Sequence, residues 1–66
     1  MAIAKVIEVI ASSTKSFEDA VASGIAKAAE TVHGIEGAWV KDTKVTVRDG
    51  KIGEWRVILS ITFIVE

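Results

Sequence analysis

The side chains best able to hold a ligand in this 66-residue chain lie on one stretch, from Gly37 to Arg56, which carries both tryptophans. Trp39 offers an aromatic face, Arg56 a planar guanidinium that can stack on a ring or bind phosphate, and Thr43 a hydroxyl. Each also has a plainer role. Tryptophan is enriched at subunit interfaces, so Trp39 could equally be a packing residue there, and Arg56 could pair with Glu54 or with an acidic residue of a neighbour. Trp55 reads as core or interface packing. His33 falls where a helix would end, a position that favours a cation, and Glu18 and Asp19 fall in a first helical turn, where acidic groups cap. A cation site at those carboxylates would need further oxygens from other subunits. No carboxylate pair, nucleophile with its base, or phosphate-cradling glycine loop stands out, so no catalytic residue is assigned and no enzyme is expected.

Composition narrows the partners. With no cysteine and one histidine, disulfides, thiol chemistry and a zinc-type ligand set are excluded. A net charge of −1 supplies no field for nucleic acid. The longest apolar stretch, Val57 to Val65, is interrupted by Ser60 and Thr62 and is far shorter than the roughly 20 residues of a spanning helix, so no membrane partner is expected. No signal peptide is visible at Met1-Ala2-Ile3-Ala4-Lys5, which leads to the expectation of a soluble, cytoplasmic protein. A core this small supplies only about 3–5 kcal/mol, and with disulfides and thiolate or zinc-type metal sites excluded the remaining support is oligomerisation.

Four elements must position these residues. Ile3 to Ile10 is rich in β-branched residues and reads as a strand with Ile7 and Val9 on one face and Val6 and Ile10 on the other. Ala11 to Lys15 reads as a polar connection. Ser16-Phe17-Glu18-Asp19 then fits a helix start capped by Ser16, with Thr14 as a rival cap. Phe17, Val21, Ile25, Ala28 and Val32 recur at spacings of four, four, three and four, one apolar stripe, and His33-Gly34 is expected to end the helix. Gly24 inside it costs about 0.5–1 kcal/mol relative to alanine, so a close neighbour is expected there.

Asp49-Gly50 between alternating residues predicts a hairpin with a two-residue type I′ turn. That turn sets 48 opposite 51 and Thr43 opposite Arg56. Trp55, Val57, Leu59, Ile61, Phe63 and Val65 then share the helix-facing side with Ala38 and Val40. The other side carries Trp39, Val45, Val47, Ile52, Ile58 and Ile64, with Thr43 and Arg56 among them. One helix covers one face, so the second apolar face requires other subunits. At about 25 cal/mol per Å², several hundred Å² of cover contributes several kcal/mol, which couples assembly to folding. The continuous run Val57 to Val65 suits the middle of the sheet, antiparallel to both neighbours.

Lys5-Val6-Ile7-Glu8-Val9-Ile10 with Ser12-Ser13, Ser16-Phe17-Glu18-Asp19-Ala20 opening the only helix, Ala26-Lys27-Ala28 within it, and a last strand containing Phe63 together resemble the dodecin family over essentially the whole chain. The resemblance implies an α+β fold: a single domain over 1–66, a β-α-β-β protomer whose three-stranded antiparallel sheet wraps one helix, and assembly into a hollow dodecamer. It implies a non-catalytic binding and storage protein that holds FMN, riboflavin or a related ligand between subunits. The family's flavin-stacking tryptophan corresponds to Gly37 here, and its ring-edge glutamine to Arg56. Trp39, two residues beyond Gly37, points to the same face about 7 Å along the strand. The expected cofactor-binding set is therefore Gly37, Trp39, Thr43 and Arg56, with no assigned metal ligand. The sequence looks closer to the divergent branch that lacks the flavin tryptophan, which leaves a structural or cation-binding assembly without flavin as the alternative.

Overall fold

A computed structural model describes residues 3–65. The apolar run that reads as a central strand is one: β1 (Ile3–Ser13), α1 (Phe17–Ala29), β2 (Ile35–Arg48) and β3 (Lys51–Val65) form a sheet of order β1-β3-β2, antiparallel throughout. Val57, Leu59 and Ile61 of β3 are fully buried and, with Ala20 of α1, make the core. Ile7, Val9 and Ala11 of β1 and Phe17, Val21, Ile25 and Ala28 of α1 pack around them. The helix stripe thus meets the odd-numbered face of β1 and β3, as its spacing predicts.

Local chemistry sets the ends of the helix. Ser16 is extended and its Oγ accepts the Asp19 N–H at 2.9 Å, the N-cap expected from the sequence; Thr14 takes no part in that bond. Ser13, almost fully buried, donates from Oγ to Asp19 Oδ2 at 2.6 Å and accepts the Lys15 N–H at 2.9 Å, which ties the strand end to the first helical turn. Because Ser12 and Ser13 pair with Arg56 and Trp55, β1 runs three residues beyond the expected Ile10. The helix ends earlier than expected, at Ala29 with Glu30 as C-cap, and not at His33-Gly34. Glu30 and Thr31 N–H groups reach back three residues to Lys27 and Ala28, a tightened last turn that stops propagation. Gly34 has φ +78° for another reason. Its carbonyl accepts the Ile64 N–H at 2.9 Å, and a Cβ there would lie 3.0 Å from the Ile64 oxygen. Gly24 does have its close neighbour: a Cβ would stand 2.8 Å from Ala11 Cβ and 3.0 Å from Leu59 Cδ1.

The hairpin turns at Asp49 (φ 53°) and Gly50 (φ 75°), both left-handed as type I′ requires, with Arg48 opposite Lys51. Beyond the turn the register departs from expectation. Gly53 is an extra residue on β3, so Thr46 pairs with Glu54 and Lys44, not Thr43, stands opposite Arg56. Thr46 Oγ1 accepts the Glu54 N–H at 2.9 Å and satisfies the group the bulge frees. Thr43 pairs with Val57 and Val45 with Trp55, which places both on the helix side of the sheet and corrects their assignment to the other. A second irregularity between Val40 and Asp42 restores the expected pairing, Val40 with Leu59 and Ala38 with Ile61.

The hairpin outruns the helix, and the protomer measures 52 × 19 × 14 Å. Its radius of gyration, 13.5 Å, exceeds the roughly 11 Å of a compact chain of this length. Its surface, 4819 Å², exceeds the approximately 4000 Å² usual for 7.0 kDa. Much of the excess is apolar: on the face away from α1, Val6 is 58%, Ile10 68% and Trp39 66% exposed.

Candidate ligand site on the uncovered sheet face

Rows of paired residues lie across that face. Gly37 stands beside Thr62, which pairs with Val6; Trp39 pairs with Ser60, which pairs with Glu8; Asp42 pairs with Ile58, which pairs with Ile10; and Lys44 pairs with Arg56, which pairs with Ser12. Gly37 and Trp39 therefore share the outer face, as the strand period requires, and nothing lies within 4 Å of the point where a Gly37 Cβ would stand. Arg56 is on this face too but not beside Trp39. Four residues of β3 separate it from Ser60, about 13 Å along the strand. Trp55 is half-buried on the opposite face, between Ser13 and Val45, the inward position expected of it.

Each end of the face has its own chemistry. Arg56 donates to Glu54 Oε1 from Nη2 at 3.0 Å and from Nε at 3.3 Å, so its guanidinium is partly committed. Lys44 directly opposite is a like charge, unfavourable unless an anion or Glu54 offsets it. A depression of about 80 Å³ lies here, bordered by Ile10, Asp42, Thr43, Lys44, Arg56 and Ile58. Thr43 borders this depression, but its side chain, paired with Val57, belongs to the helix side of the sheet and is not presented beside Arg56. At the other end, Lys41 Nζ donates to Glu8 Oε2 at 2.8 Å, across β3, and lies 5.8 Å from the centre of the Trp39 ring. Alternation from Trp39 places Lys41 on this face, but neither Lys41 nor Glu8 was selected from sequence, because their meeting depends on the register of β1 and β2 across β3.

A depression of about 80 Å³ is far below the roughly 300–1,000 Å³ of a small-molecule pocket. A larger groove, about 570 Å³, lies between the free edge of β1 and α1, lined by Ile7, Ala11, Gly24, Ala28 and Val32 among others, and holds none of the candidate residues. Arg56 also borders an open groove of about 460 Å³ with Thr46, Arg48 and Glu54, whereas Trp39 lines none of these depressions, so an enclosed site at Trp39 needs a second wall from outside the protomer. Among the described residues no three His, Cys, Asp or Glu side chains gather closely enough to hold a metal ion, and no described helix is long and apolar enough to cross a membrane.

The protomer is a β-α-β-β unit whose three-stranded antiparallel sheet is covered by one helix on one face and leaves an apolar face open. Comparison with known proteins names it. The sequence model of the dodecin family matches residues 3–66, and the chain belongs to that family. No curated protein matches it. The fold is shared with dodecin from Streptomyces coelicolor (25% identity, TM-score 0.95, covering 98% of this chain and 93% of that one). It is shared equally with dodecin from Streptomyces davaonensis (23%, TM-score 0.94, 98% and 96%). The chain is also similar to the calcium-chelating antigen calcium dodecin of Mycobacterium tuberculosis (32%, TM-score 0.85, 97% and 91%), which is described as having a novel calcium-binding site.

Proposed function

We propose that copies of this chain assemble through the uncovered sheet face into a hollow twelve-subunit shell that binds and stores a planar aromatic ligand, FMN or riboflavin, between subunits. One observation carries this reading: Trp39 stands 66% exposed on a face the helix does not cover. The open space over Gly37 leaves a floor beside that ring, and a neighbouring copy supplies the wall a single protomer lacks. Gly37 and Trp39 form the stacking position. Arg56, at the depression it shares with Asp42 and Ile58, is assigned to the polar or phosphorylated tail, and Thr43, turned to the helix side, drops out of the expected set. A non-catalytic role and a cytoplasmic location belong to the same reading. Titrating riboflavin and FMN into the protein while following flavin and tryptophan fluorescence tests it. Quenching at micromolar protein is expected, weakened by Trp39→Ala without loss of assembly mass; no quenching removes the flavin reading.

The 32% identity to a calcium dodecin favours a second reading, an assembly held by cations with no organic ligand. With no ligand cluster among the described residues of one protomer, such a site would be shared between subunits. Under this reading Trp39→Ala lowers the assembly mass, and calorimetry detects calcium binding where flavin gives no heat.

A further inference from the structure

Lys41 is the extra residue of the irregularity between Val40 and Asp42. Val40 faces the helix side with Leu59 and Asp42 faces outward with Ile58, and Lys41 between them also reaches the outer face, where it meets Glu8 and Trp39. Alternation from Trp39 already sends Lys41 to this face, and the bulge leaves it without a pairing partner on β3 and brings Asp42 to the same face. Its Nζ lies 5.8 Å from the Trp39 ring centre, at the outer limit of a cation–π contact, and it leaves the indole largely free. The ion pair is also oriented. Glu8 stands on β1, two strand spacings or about 10 Å from the Trp39 backbone, so a ring stacked on Trp39 meets the ammonium before the carboxylate. Glu8 engages one of three ammonium donors and holds a flexible stem in place.

We propose that Lys41 makes the Trp39 position selective for planar rings with an anionic oxygen on their edge, the ring stacking on the indole and the oxygen accepting from the Lys41 ammonium. The proposal rests on Trp39 serving as a stacking platform. It is tested in the assembled protein with two isosteric probes, 2-naphthoate and 2-naphthamide, titrated by saturation-transfer NMR at fixed salt. The wild type is expected to prefer naphthoate by about fivefold, the upper range of an exposed charge contact. Lys41→Met, which keeps the aliphatic stem, brings the ratio to about one, and Lys41→Arg retains the preference. Equal affinities in the wild type, or a preference unchanged in Lys41→Met, overturn the role of Lys41 while leaving stacking intact. Failure of both probes to bind, or binding indifferent to Trp39→Ala, overturns the stacking platform and the selectivity together.

Discussion

Replacing Gly24 by alanine sets two effects against each other, and the structure decides between them. Alanine gains about 1 kcal/mol in helix propensity over glycine, so at an open position the variant would be more stable. Here the new Cβ would stand 2.8 Å from Ala11 Cβ and 3.0 Å from Leu59 Cδ1, against an optimum of about 3.5–4.0 Å. Leu59 can turn aside, but Ala11 Cβ is fixed to its backbone. Relief requires α1 to lift by nearly 1 Å from β1, which weakens the contacts of Val21, Ile25 and Ala28 with the core. Overpacking of this kind costs about 1–3 kcal/mol, leaving a net loss of up to about 2 kcal/mol. Urea unfolding at one fixed protomer concentration measures it, since the stability of an assembly depends on concentration. Adding Ala11→Gly should restore stability to Gly24→Ala and so give a coupling of about 1 kcal/mol, whereas Ala11→Gly alone destabilises. A more stable Gly24→Ala, or two changes that simply add, would refute the close approach.

Ser13→Ala removes the donor to Asp19 and the acceptor of the Lys15 N–H at a nearly buried position, and is expected to lower stability by about 1–3 kcal/mol in the same urea assay. Gly50→Ala forces a side chain into φ 75° at the hairpin tip and is expected to cost about 1–2 kcal/mol. Because that tip lies far from α1, circular dichroism should show the helix retained while the unfolding midpoint falls.

The elements were legible where one local signal was unopposed. Ser16 before Phe17, the stripe from Phe17 to Ala28, and Asp49-Gly50 each dictate a geometry by themselves, and the run Val57 to Val65 could only be central. Errors came where a single residue breaks a period. Gly53 within a strand is a recognised sign of a bulge, and reading it so would have moved Thr43 to its place opposite Val57. The irregularity at Lys41 has no such sign, and it cancels the first, which is why Trp39 still faces outward as expected. The candidate site was legible as a face and not as a cluster. Trp39 and Gly37 follow from strand alternation, but the distance of Arg56 from them, and the Glu8–Lys41 pair spanning β3, depend on register.

Everything proposed for the site depends on a second copy covering the open face. The mass of the particle in solution, measured by native mass spectrometry or light scattering at micromolar protomer, tests that dependence most directly. A particle near 84 kDa, twelve times the 7.0 kDa protomer, is predicted. A stable 7.0 kDa monomer with native circular dichroism would contradict it, because the exposed Val6, Ile10 and Trp39 would then be tolerated in water.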